Sequence, residues 1–88
     1  MRRNPEFVLS DVAGNHILMP VGSAAINLNG MITINDTGVM IWKELEKDLS
    51  FEQLLSAITD RYEVSGETAR ADLLRFMDVM RSVNGIIE

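Results

Sequence analysis

The stretch "GMITINDTGVMIWKEL", residues 30–45, begins as a strand-like alternation and passes into a helical period with no linker between. Met31 to Ile34 read as a strand, whose side chains point alternately to its two faces. From Asn35 the period changes, because Gly38, Ile41, Trp42 and Leu45 recur at i, i+3, i+4 and i+7 on one helical face. Asn35 or Asp36 can cap that helix by accepting a bond from an early backbone N–H.

Upstream of this junction the chain reads as strands. "EFVLSDVAG" alternates around Phe7, Leu9 and Val12, "NHILMP" follows a turn expected at Gly14-Asn15, and "AAINLNGMITI" contains the hairpin signal Asn29-Gly30. Three short strands are expected, with Pro20 and Gly22 interrupting the sheet region between the second and third.

Downstream the chain reads as helices. "LSFEQL" sets Ser50 and Gln53 at capping-box spacing, with Leu49 and Leu54 placed as a hydrophobic staple, so a helix over 51–61 follows. Its inward face is Leu54, Leu55, Ile58 and Tyr62. Ser65 caps a third and longest helix, with Glu67 near its positive end and a stripe of Ala69, Leu73, Phe76, Met77, Met80 and Val83. Asn84-Gly85 stops it, and "IIE" forms a short edge strand or a packed tail.

The 88 residues, 47% of them hydrophobic, suit a single domain over residues 1–88 with one core and no deep catalytic cavity. There is no cysteine, which removes disulfides, thiolate metal sites and a thiol nucleophile. "MRRNPEFVL" lacks an apolar signal region, and no segment reaches the roughly 18 unbroken apolar residues of a membrane span. A soluble cytoplasmic protein is expected. With 13 acidic and 8 basic residues the formal charge is −5, which opposes nucleic acid as a general partner.

His16, the single histidine, reads as a solvated strand residue. Its spacing to Asp11 implies nothing in particular. Glu44, Glu46 and Asp48 sit at a polar helix end with no nucleophile or orienting group in view. Met77 and Met80 have the spacing of core residues, while Met31 divides between core and an adaptable peptide surface. On the third helix, Asp72 with Arg75 and Asp78 with Arg81 have i, i+3 spacing and read as solubilising pairs.

The order β, β, β, α, α, α and three stretches together resemble the PqqD family, whose members serve pyrroloquinoline quinone biosynthesis or recognise other ribosomally made, modified peptides. The stretches are "NGMITINDTGVMIWKEL", "SFEQLLSAITDRYEV" and "DLLRFMDVMRSVNGII", and the resemblance runs from about Phe7 to Ile87. It implies an α+β, winged helix-turn-helix-like fold of three short N-terminal strands followed by a three-helix bundle. It implies a non-catalytic module that needs no cofactor. Such a module binds the leader of a precursor peptide and presents it to a modifying enzyme, commonly a radical S-adenosylmethionine enzyme. Carried onto this chain, the docking strand is Gly30, Met31, Ile32, Thr33 and Ile34. The facing helix contributes Arg70, Leu73, Leu74, Met77 and Asp78.

The physics agrees with that placement, since an unpaired strand edge offers N–H and C=O groups to a visiting peptide. Two other readings compete. One is a winged-helix DNA binder reading with residues 68–80, disfavoured by the charge; the other is a homodimer formed through the open edge.

Overall fold

The computed structural model describes residues 1–22, 25 and 31–88. Its element order is β1 (Arg2–Arg3), β2 (Phe7–Val12), β3 (Asn15–Pro20), β4 (Ile32–Ile34), α1 (Asp36–Glu44), α2 (Phe51–Arg61), α3 (Gly66–Ser82) and β5 (Ile86–Ile87). It is an α+β fold: a three-stranded antiparallel sheet ordered β2-β3-β4, then three helices. The expected Asn29-Gly30 hairpin and the expected strand residues 24 and 26–30 lie outside the described residues, while Ala25 is helical and not in the expected strand, its N–H donating to the Gly22 carbonyl at 3.2 Å.

The β2–β3 hairpin is paired from Phe7↔Pro20 to Val12↔Asn15. That register makes Ala13 and Gly14 the turn, one residue earlier than expected, and Asn15 the first paired residue of β3. Both turn residues have positive φ, 52° and 82°, as a two-residue turn requires if its twist is to match that of the strands. Ala13 adopts this conformation against its own preference because the six residue pairs between β2 and β3 fix the register.

β4 joins β3 through His16↔Ile34, Ile17↔Thr33 and Leu18↔Ile32. One residue later α1 begins. The Asn35 carboxamide oxygen accepts from Gly38 N–H at 2.8 Å, so Asn35 is the cap and Asp36 is the first helical residue.

α2 starts with the expected capping box. Gln53 N–H donates to Ser50 Oγ at 3.2 Å, and Ser50 N–H donates to Gln53 Oε1 at 2.8 Å. α3 starts at Ser65, whose Oγ accepts from Thr68 N–H, and ends in a Schellman motif. There Asn84 takes φ 58°, Gly85 N–H reaches the Met80 carbonyl at 2.8 Å, and Asn84 N–H reaches that of Arg81 at 3.3 Å.

The core gathers Phe7 and Leu18 from the sheet, Met40, Ile41, Trp42 and Leu45 around α1, Leu54 and Ile58 from α2, Ala69, Leu73, Met77 and Met80 from α3, and Ile86. Each fully buried Leu, Ile or Met contributes about 1.5–3 kcal/mol of transfer free energy. The edge of Phe7 meets Trp42 at 6.3 Å between centroids and 72° between planes. No charged or polar side chain is buried among the described residues.

An additional sheet closes the molecule. β1 pairs antiparallel with β5 through Arg2↔Ile87 and Arg3↔Ile86, while Arg3 N–H donates to the Leu45 carbonyl at 2.9 Å. "IIE" is therefore an edge strand whose partner is "RR", a pairing that no hydrophobic pattern announces. No helix among the described residues is long and apolar enough to cross a membrane.

Candidate functional site

Among the described residues β4 pairs with β3 alone, so its other side is a sheet edge. That edge forms one wall of a cleft of about 270 Å³ whose other wall is α3. Thr33, Ile34, Asn35, Thr37, Gly38 and Ile41 line one side, and Asp72, Arg75, Phe76, Val79 and Met80 the other. Ile34, Ile41, Phe76 and Met80 make an apolar floor, Val79 is 43% exposed on the wall, and Thr33 stands at the mouth.

The junction at Asn35 sets the width of this cleft. A Cβ on Gly38 would lie 3.1 Å from Ile34 Cβ, 3.3 Å from Asn35 Oδ1 and 3.6 Å from Phe76 Cδ2. The first turn of α1 can approach β4 and α3 this closely because residue 38 has no side chain.

His16 fastens the same junction from the side. It lies opposite Ile34 in the sheet, and its ring bridges Nδ1 to Asp11 Oδ1 at 2.5 Å and Nε2 to Asp36 Oδ1 at 2.9 Å. A neutral imidazole has one N–H, so donation to both carboxylates requires the imidazolium. The hydrogen bond with Asp11, then that with Asp36, holds the His16 pKa above its ordinary value. His16 is a solvated strand residue, as expected, and also a tie between β2, β3 and the start of α1, which its spacing to Asp11 did not announce.

The expected site residues fall in several places. Gly30 lies outside the described residues. Met31 is 62% exposed beside the edge, which favours its surface reading, and Ile32 packs on the core. Thr33 and Ile34 line the cleft. On α3, Leu73 and Met77 are fully buried, so they support the cleft wall from beneath and are not part of its surface.

Arg70 turns toward α2, with Nη2 donating to Glu52 Oε1 at 3.3 Å and its guanidinium 5.4 Å above the Phe51 ring. Leu74 and Asp78 are exposed outside the cleft lining. The cleft face is instead Asp72, Arg75, Phe76 and Val79, at i, i+3, i+4 and i+7. Two positions along a helix are a rotation of about 200°, so Arg70 and Leu74 lie nearly opposite Asp72 and Phe76.

A signal for the face that lines the cleft is present in the sequence. Val79 extends the apolar stripe of α3 on the side of Phe76, making the arc wider than the roughly 100° a core contact requires. The surplus borders the cleft.

The charges of α3 are balanced. Its three acids, Glu67, Asp72 and Asp78, match its three arginines, Arg70, Arg75 and Arg81. Arg75 Nη2 pairs with Asp72 Oδ1 at 3.2 Å, and Arg81 Nε with Glu88 Oε1 at 2.6 Å. Such a surface offers no basic excess to a phosphate backbone, and the DNA-reading alternative is not favoured.

No curated protein matches the chain in sequence. A solved structure described as "TbiB1 in Complex with the TbiA(beta) Leader Peptide" shares the fold, with a TM-score of 0.73 at 20% identity, covering 97% of this chain and 93% of that one. The sequence model of the family described as "Coenzyme PQQ synthesis protein D (PqqD)" matches residues 15–86, the span from the start of β3 to the start of β5, and by that match the chain belongs to the PqqD family.

Proposed function

We propose that the protein is a peptide-binding recognition module that captures the leader segment of a ribosomally made precursor and presents it to a modifying enzyme. The observation that carries this reading is the open edge of β4 forming one wall of an apolar cleft whose other wall is α3. An extended segment adding to β4 takes its affinity from backbone hydrogen bonds and its selectivity from alternate side chains entering the cleft. Membership of the PqqD family supports the reading, as does the likeness of fold to a protein solved with a leader peptide.

The leader lies along Met31 to Ile34. Its anchor side chain rests on Ile34, Phe76 and Val79, and Asp72 with Arg75 forms a charged rim. A Leu-sized anchor transferred from water into this cleft supplies about 1.5–3 kcal/mol. Two hydroxyls, an amide and one ion pair around an apolar floor suit holding a peptide rather than making or breaking its bonds. The chemistry belongs to the partner enzyme, of the radical S-adenosylmethionine type, and both work in the cytoplasm.

Val79→Glu tests this arrangement, because Val79 is already 43% exposed and its replacement leaves the core untouched. Fluorescence anisotropy with labelled candidate leader peptides encoded near the gene should show at least a tenfold loss of affinity, about 1.4 kcal/mol, with an unchanged circular dichroism spectrum. Wild-type affinity in the folded variant contradicts the proposed site.

A further inference from the structure

The second edge of the sheet, β2, borders a different groove of about 560 Å³ that shares no residue with the peptide cleft. Trp42 floors it, Val8 stands 46% exposed in it, and Arg2, Arg3, Lys43 and Glu46 supply its charge. Three cations face one carboxylate there, in a chain whose net charge is −5.

These cations differ from those on α3. Arg70, Arg75 and Arg81 are each paired with a carboxylate, whereas no ion pair among the described residues uses Arg2, Arg3 or Lys43, and Arg2 acts on Asp48 only as the least of the influences that hold that carboxyl below its ordinary range. Arg3 is also held in place. Its guanidinium lies 5.8 Å from the Trp42 ring centroid, and Nη1 donates to the Trp42 carbonyl at 3.4 Å. A guanidinium has five N–H donors, so this contact orients the group and leaves most of its donor capacity for a visitor.

We infer that this groove is a second docking surface, built to take an acidic polypeptide segment carrying an apolar side chain, and that the segment belongs to the enzyme that modifies the captured peptide. The assignment to that enzyme rests on the peptide-binding reading; the chemistry of the surface rests on the groove alone. A recognition module that delivers its cargo needs two separate surfaces, and β4 and β2 are opposite edges of one sheet. The apolar floor and Glu46 favour a protein segment over a phosphate backbone.

The test is an NMR titration of the labelled full chain with a synthetic peptide of alternating Glu and Leu, its Lys and Leu counterpart, and a short DNA duplex. The acidic peptide should shift Arg2, Val8, Lys43 and the Trp42 indole, with affinity that falls as salt rises, while the other two probes leave these signals in place. The double variant Arg2→Glu with Lys43→Glu should weaken that response at least tenfold and leave leader affinity at β4 unchanged.

Absence of shifts at the groove overturns the inference, as does an equal response to DNA or a concentration-dependent shift without added peptide, which marks a second copy of the chain. If the groove responds to the acidic peptide but no leader binds at β4, the peptide-binding reading fails and the assignment to a peptide-modifying enzyme falls with it. The acidic-segment surface then stands by itself.

Discussion

His16 ties the strand-helix junction through a charge that depends on pH. Its pKa is raised above the ordinary 6.5 by hydrogen bonding to Asp11 and, second, to Asp36. A raised folded-state pKa stabilises the fold fully below the unfolded value, and that stability is lost as pH rises through the folded value. The wild type should therefore lose stability relative to His16→Gln as pH rises from about 6 through the raised pKa. The loss is small because the groups are solvated. Urea unfolding midpoints for both proteins across this range provide the check, and parallel curves contradict the bridge. Neither this tie nor the fit at Gly38 could be read from the chain, since Asp11 and Asp36 meet His16 only once the sheet registers place them.

At the scale of elements, the helix caps were legible because their chemistry is local. Ser50 with Gln53, Ser65 and Asn84 all act within a few residues of themselves, and each stands where the spacing placed it. Ser50→Ala removes one half of the capping box and should cost about 1 kcal/mol, lowering the thermal midpoint by roughly 4–8 °C for a domain of this size. Thermal unfolding followed by circular dichroism measures this, and a shift of under about 1 °C contradicts the energetic role assigned to the box.

Elements defined by distant partners were harder to read. β1 and β5 are two residues each and have no periodicity to display. The β2–β3 turn moved one residue because the register, set by the strands, outweighed the preference of Ala13. On α3 the apolar stripe showed which side enters the core. Which border of that stripe faces β4 depends on how the helix is rotated, and that is set by packing against elements distant in the chain, α2 foremost.

At the scale of the whole molecule, the three-stranded sheet has two edges that are unpaired among the described residues, and each lies beside a groove of different chemistry. The β4 edge faces an apolar cleft with a balanced ion pair, and the β2 edge adjoins a groove with excess positive charge. The fusion of β4 to α1 serves the first edge in the proposed mode of binding. Anchored by the Asn35 cap, the close fit at Gly38 and the His16 bridge, β4 is ordered before a peptide arrives, which reduces the ordering cost of binding on the protein side.

The most direct measurement is a map of backbone contacts between an isotopically labelled chain and a bound leader peptide by NMR. Docking at β4 should give cross-strand contacts from the peptide to Met31–Ile34, with accompanying shifts at Asp72, Phe76 and Val79. Contacts confined to β2, or to the Arg70 and Leu74 side of α3, would contradict it.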